Sequence, residues 1–185
     1  MQQLYEAFRA GDRESAKTLV AADPTLAIFA AAIFGDAAEI EKLLAGNRSL
    51  VTAVSPDGWF PLHLAAHFGH PDAVRALLNK GAQVNASSTN ALKNMALHAA
   101  AAGRAQAVAK LLLDAGADVN ARQHGGWTPL HSVAQNGDVE FARILTDAGA
   151  DVNVRADNQQ RPLDLALTKG QQAMVDFLES HGASL

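Results

Sequence analysis

One pattern is stated three times in this chain. Gly58-Trp-Phe-Pro-Leu-His-Leu-Ala-Ala at 58–66, Met95-Ala-Leu-His-Ala-Ala-Ala at 95–101 and Gly126-Trp-Thr-Pro-Leu-His-Ser-Val-Ala at 126–134 share one core. Its leucines, Leu62, Leu97 and Leu130, with a fourth at Leu163, stand 35, 33 and 33 residues apart. Gly81, Gly116, Gly149 and Gly182 keep the same intervals, and Asn85, Asn120 and Asn153 are 35 and 33 apart. Three markers in one register define a period, and a chain with such a period folds as a stack in which each unit buries its apolar face on the next.

A single unit reads as a helix pair. Thr128 is placed to accept free amide hydrogens as N-cap, Pro129 suits the first helical position, and Gly137 ends a helix of about two turns. A second helix follows, with Val139, Ala142, Ile144 and Leu145 near one face and Gly149 as its stop. Alanines at 99–102, 105, 107 and 109 allow helices to approach closely. Gly69, Gly35 and Gly11 carry the pattern toward the N-terminus, where Glu39–Leu44 and Ser15–Val20 are second helices. Gly11 and Gly35 are only 24 residues apart, so the link around Ala22–Leu26 is too short for a hairpin. The expectation is one domain over 1–185 with six helix pairs, divided near 1–23 (N-cap), 24–57, 58–91, 92–124, 125–157 and 158–185 (C-cap). Glu179 and Asp164 at one end, and Ser15, Lys17 and Thr18 at the other, replace apolar or motif residues, so both ends read as finished caps.

Thr128-Pro-Leu-His at 128–131, with Leu112-Leu-Asp-Ala-Gly-Ala-Asp-Val-Asn at 112–120, resembles the ankyrin repeat. Pro-Leu-His at 61–63, Ala-Leu-His at 96–98 and Pro-Leu-Asp at 162–164 carry the likeness from about residue 58 to the C-terminus, and the N-terminal third is a looser match. The resemblance implies an all-α repeat solenoid of stacked antiparallel helix pairs joined by β-hairpin-like loops. It also implies that the motif histidine ties neighbouring hairpins together, and that partners bind a concave face made of hairpin tips and first helices.

Composition narrows the function. Of the 185 residues 49% are hydrophobic and only 5% aromatic, which gives a core of small side chains in one elongated domain. The net charge of −4 is well mixed along the chain, so neither a nucleic acid nor a membrane surface is an expected partner. Cysteine is absent, which removes disulfides and thiolate chemistry. The start lacks the pattern of a signal peptide and no apolar run approaches a membrane span, so the expectation is a cytoplasmic monomer.

Candidate chemistry dissolves into the repeat. His63, His67 and His70 have a spacing that suits metal ligands, but His63 is the motif histidine and His70 follows the helix-ending Gly69. His63, His98 and His131 are expected to be structural and too far apart to share an ion. Asp118 and Asp151 recur with the period, whereas an active site needs a unique constellation. Gly125-Gly126 reads as a hairpin turn rather than a phosphate cradle. Neither a catalytic residue, a metal nor another cofactor is expected.

Function is therefore expected where the copies differ. Among the variable tip and first-helix positions, the partner-binding set is Phe34, Asp57, Trp59, His67, Phe68, Leu92, Lys93, Asn94, His124, Trp127, Gln135, Asn136, Asn158, Gln160 and Lys169. Ile33, Pro56, Ala101, Ala102, Gly125 and Thr168 fall on the same face. Trp59 and Trp127 occupy equivalent tips and, with Phe34 and Phe68, are candidate anchors, although such rings also pack on the next hairpin. The segment 86–94 is two residues longer than its counterpart and lacks glycine, either as a tolerated surface insertion or as a partner contact. The reading is a non-catalytic scaffold for another protein. The alternatives are a regulatory or inhibitory subunit covering the active site of an enzyme or toxin, and a small-molecule or peptide site between the fingers, which needs an enclosed aromatic pocket at Trp59, Phe68 and Trp127.

Overall fold

Within each helix pair one residue reverses the chain, and it does so in the left-handed region. Gly11, Gly35, Gly69, Gly137 and Gly170 hold φ between 65 and 74°, and Arg104 does the same at 56°. After three of these turns an aspartate caps the second helix: Asp12, Asp36 and Asp138 accept the amide hydrogens of Ser15, Glu39 and Phe141. In the computed structural model, which describes residues 1–184, the result is six antiparallel pairs. They are α1 (Gln2–Ala10) with α2 (Arg13–Ala22), α3 (Ala27–Phe34) with α4 (Ala37–Gly46), and α5 (Pro61–His67) with α6 (Pro71–Asn79). Then come α7 (Ala96–Ala102) with α8 (Gln106–Asp114), α9 (Pro129–Asn136) with α10 (Val139–Asp147), and α11 (Pro162–Thr168) with α12 (Gln172–Ser180).

The first helices α3, α5, α7, α9 and α11 stack in one row, and the second helices α4, α6, α8, α10 and α12 in another. Between the rows lie Ile33, Ile40, Leu77, Leu97, Leu112, Leu130, Phe141, Leu145, Leu163 and Met174, all essentially without exposure. Burying each such side chain is worth about 1.5–3 kcal/mol. The first row is lined by buried alanines, including Ala65, Ala66, Ala99, Ala100, Ala134 and Ala166, so its helices can lie close together. Among the described residues no helix is long and apolar enough to cross a membrane.

Four fingers project between successive pairs, from the second to the sixth. Each is closed by one backbone bond: Ser55 N–H to Trp59, Ser88 to Asn94, Gln123 to Trp127 and Ala156 to Gln160. None of the described residues forms a β-strand, so the fingers are turns. The two extra residues of the 86–94 segment lie inside the Ser88–Asn94 closure. The left-handed position filled by Gly58 and Gly126 in two fingers is held by Lys93 and Gln159 in the others. Neighbouring tips are joined by Thr89 N–H to Gly58 O, His124 N–H to Leu92 O and Asp157 N–H to Gly125 O, at 2.8–3.0 Å. Farther back, the periodic asparagines form a ladder. Asn85 donates to Gly116 O and accepts from Asp118 N–H; Asn120 and Asn153 repeat this toward Gly149 and Asp151, and toward Gly182 and Ser184.

The first two pairs are joined without a finger, by a 3-10 turn at Pro24–Leu26 that Asp23 caps. A second 3-10 turn at Arg48–Thr52, capped by Asn47, leads into the first finger. Leu19-Val-Ala-Ala-Asp-Pro-Thr-Leu26 and Leu43-Leu-Ala-Gly-Asn-Arg-Ser-Leu50 are thus one shorter repeat, at the Gly11-to-Gly35 spacing. The first pair also sits differently. Helix α2 packs on α3 and its 3-10 turn, and α1 reaches past α3 to α5. Phe8 lies 5.6 Å from the Phe34 ring and 4.4 Å from the Phe68 ring, and the Tyr5 hydroxyl donates to Asp57 Oδ2 at 2.7 Å.

Candidate binding face

The motif histidines are consumed by the scaffold. His98 Nε2 and His131 Nε2 each lie 3.1 Å from a carbonyl oxygen of the next finger, Trp127 and Gln160, so each Nε2 carries the hydrogen. Their Nδ1 atoms accept the backbone N–H of Met95 and Thr128. Thr128 thus sits at the N-cap, but its hydroxyl meets His131 Nδ1 at 2.9 Å instead of a free amide. Burial depresses all three motif rings, His63, His98 and His131, and it brings His98 to about 4. His70 Nε2 bonds Ile33 O at 2.8 Å. In the last pair Asp164 takes the histidine's place. It accepts Arg161 N–H at 2.8 Å and binds the Arg161 guanidinium, which lowers its pKa, while that guanidinium also donates to Ser184 O.

His63 departs from this scheme. Its Nε2 bonds Asn94 O at 3.0 Å, but its Nδ1 is buried without a partner, with Phe60 at the N-cap position that Thr128 and Met95 hold in other pairs. Asn94, expected at the surface, is 6% exposed. The extra length of its finger folds inward, where the Asn94 backbone pairs with Ser88 and its Oδ1 makes no hydrogen bond. An unpartnered buried polar group costs about 1–3 kcal/mol.

His63 and Asn94 line a cleft of about 380 Å³ between the second finger and the first helices. Trp59, Leu92, His67 and Phe68 form its other sides together with Leu64, Ala99 and Ala102, and Tyr5 and Arg9 of α1 close one end. Of the expected aromatic enclosure, Trp59 and Phe68 are present, but Trp127 is not. Trp127 belongs to the next finger, where its ring tilts over His131 with centroids 5.6 Å apart. Trp59 likewise leans on His63 at 5.9 Å and stays partly open.

Other expected contacts are placed as follows. Phe34 is partly covered by Phe8, and the Arg13 guanidinium lies 5.3 Å above its ring. Ile33 and Ala101 are buried and leave the surface set, because both fall on the inward side of their helices. Asp57 is held by the hydroxyls of Ser55 and Tyr5. Asn136 reaches Ala101 O and its carbonyl accepts Arg104. Asn158 and Gln160 bond each other. Leu92, Lys93, His124 and Lys169 are exposed, and Gln135 is partly so. Tyr5 and Arg9 were missing from the expected set. Their only trace in the sequence is the short Gly11-to-Gly35 spacing, which marks the first pair as irregular.

A family model described as ankyrin repeats (3 copies) matches residues 27–123 and 97–185. The chain is 38% identical over 97 residues to the neurogenic locus Notch protein of Drosophila melanogaster, covering 52% of this chain and 4% of that protein. It is 35% identical over 139 residues to the tyrosine-protein kinase Shark of the same organism, covering 75% of this chain and 14% of the kinase. A putative ankyrin repeat protein of Rickettsia felis is 45% identical over 76 residues, 41% of this chain and 33% of that protein. The chain therefore spans a third or less of each of these relatives. With six stacked helix pairs and a family model covering most of its length, the chain belongs to the ankyrin-repeat family.

Proposed function

We propose that this chain is a non-catalytic protein-binding module whose partner seats on the finger tips and first helices around the second and third pairs of the regular stack, α5–α6 and α7–α8. The observation that carries the reading is the cleft itself, the place where two partly open aromatic side chains, Trp59 and Phe68, meet an exposed aliphatic one, Leu92. Such a cluster of large apolar groups is the usual composition of an interface anchor. Among the residues that recur with the period, His98 and His131 are tied to backbone at both nitrogens, and Asp118 and Asp151 cap their own turns. A preformed face binds with little ordering cost.

The test is site-specific photocross-linking in extracts of the source cell, with a benzophenone side chain at position 92 or at Lys110 on the opposite row. Partners captured from position 92 and lost in Trp59→Ala support the reading. Capture from Lys110 alone, or of the same proteins from both positions, overturns it.

A further inference from the structure

The cleft has a chemistry more specific than an apolar patch. Arg9, exposed at its α1 end, has no ion-pair or hydrogen-bond partner among the described residues. No carboxylate lines the cleft, and Asp57, at the tip of the adjoining finger, is already taken by Tyr5 and Ser55. A free guanidinium beside an acid-free apolar wall favours an incoming carboxylate, which it can hold through two parallel hydrogen bonds.

The floor makes a second, independent demand. The Asn94 Oδ1 is unpaired in a residue 94% removed from solvent, and His63, 99% removed, has an unpartnered Nδ1. Because His63 Nε2 must carry the hydrogen that reaches Asn94 O, Nδ1 is an acceptor. Both unpaired floor atoms are acceptors, and the Asn94 carboxamide also carries N–H donors. A peptide group supplies both functions. Trp59, Leu92 and Phe68 alongside provide room for a large apolar side chain.

We propose that this cleft is the seat for one extended segment of a partner protein in which an aromatic or long aliphatic residue stands next to an aspartate or glutamate. The acid pairs with Arg9, the apolar side chain lies between Trp59, Leu92 and Phe68, and a backbone amide meets Asn94. The proposal rests on the binding-face reading above and names what that face takes.

Random dodecapeptides displayed on phage and selected against the full chain test it, followed by titration of the recovered peptides into ¹⁵N-labelled protein. The expected peptides share an apolar residue beside an acid. They shift the Trp59 indole N–H resonance and leave that of Trp127 in place. Arg9→Glu, a change at an exposed site, weakens them at least tenfold but leaves their Asp→Asn twins unchanged. Asn94→Leu weakens binding at least tenfold with no fall in melting temperature, whereas a purely structural asparagine would lower it. Peptides without an acid, peptides indifferent to Arg9→Glu, peptides that move only Trp127, or failure to enrich any peptide each overturn the proposal. In all four cases the position 92 cross-linking result still decides the face reading separately.

Discussion

His98 shows how a single buried ring couples this stack to pH. In the unfolded chain its pKa is near 6.5, whereas burial among apolar neighbours brings it to about 4 in the fold. Below 6.5 the unfolded ring takes up a proton that the folded ring refuses until about pH 4. The stabilisation is complete above pH 6.5 and is lost as the pH falls through that window, by about 3 kcal/mol for this residue. His63 and His131 are shifted the same way and add to the slope. Urea midpoints measured from pH 7 to pH 4 should drop steadily, and His98→Gln should flatten part of that fall. Nearby, Arg104 holds a left-handed φ of 56° that glycine fills in all five other pairs. That conformation costs a non-glycine residue about 1–2 kcal/mol, and it is partly offset here by the hydrogen bond to Asn136 O. Arg104→Gly should raise stability by about 1 kcal/mol, a gain of roughly 2–4 °C in a thermal melt for a chain of this length. Gly103→Ala should do the reverse, since its Cβ would overlap the His67 carbonyl.

Among the elements, α1 departs furthest from the repeat. It carries the apolar pattern of a first helix, yet its Phe8 and Tyr5 cross α3 to reach Phe68 and the first finger. Phe8→Ala should cost on the order of 2–3 kcal/mol. Hydrogen exchange would show the loss as early opening of α1 and α2, with α7–α12 protected as before; uniform loss along the stack would contradict this account of α1. The spacing of Gly11 and Gly35 announced that the first connection was short, and that was legible because a chain of that length cannot form a finger. The direction in which α1 leans was not. It depends on rings 26 and 60 residues away, Phe34 and Phe68, and nothing local to α1 encodes their position. Arg9 and Tyr5 therefore entered the cleft unannounced.

For the molecule as a whole, the period carried the architecture, because every copy meets the same demands: a left-handed turn, a buried leucine, and a histidine that reaches the next finger. A repeated constraint is easy to read. The cleft is the opposite case, produced by two departures that act together: the inward fold of the longer finger, which hides Asn94, and the lean of α1. Position alone marked Asn94 as a surface residue, and only the packed structure turns it to the floor. The tip-to-tip bonds of Gly58 with Thr89, Leu92 with His124 and Gly125 with Asp157 run lengthwise along the edge of the stack. They act as a tie rod: prising Trp59 away from Leu92 would load the Gly58–Thr89 bond that joins their two fingers. If the cleft is the seat proposed above, its mouth keeps a set gauge, and a partner segment would be sorted by girth before any contact inside could reward it.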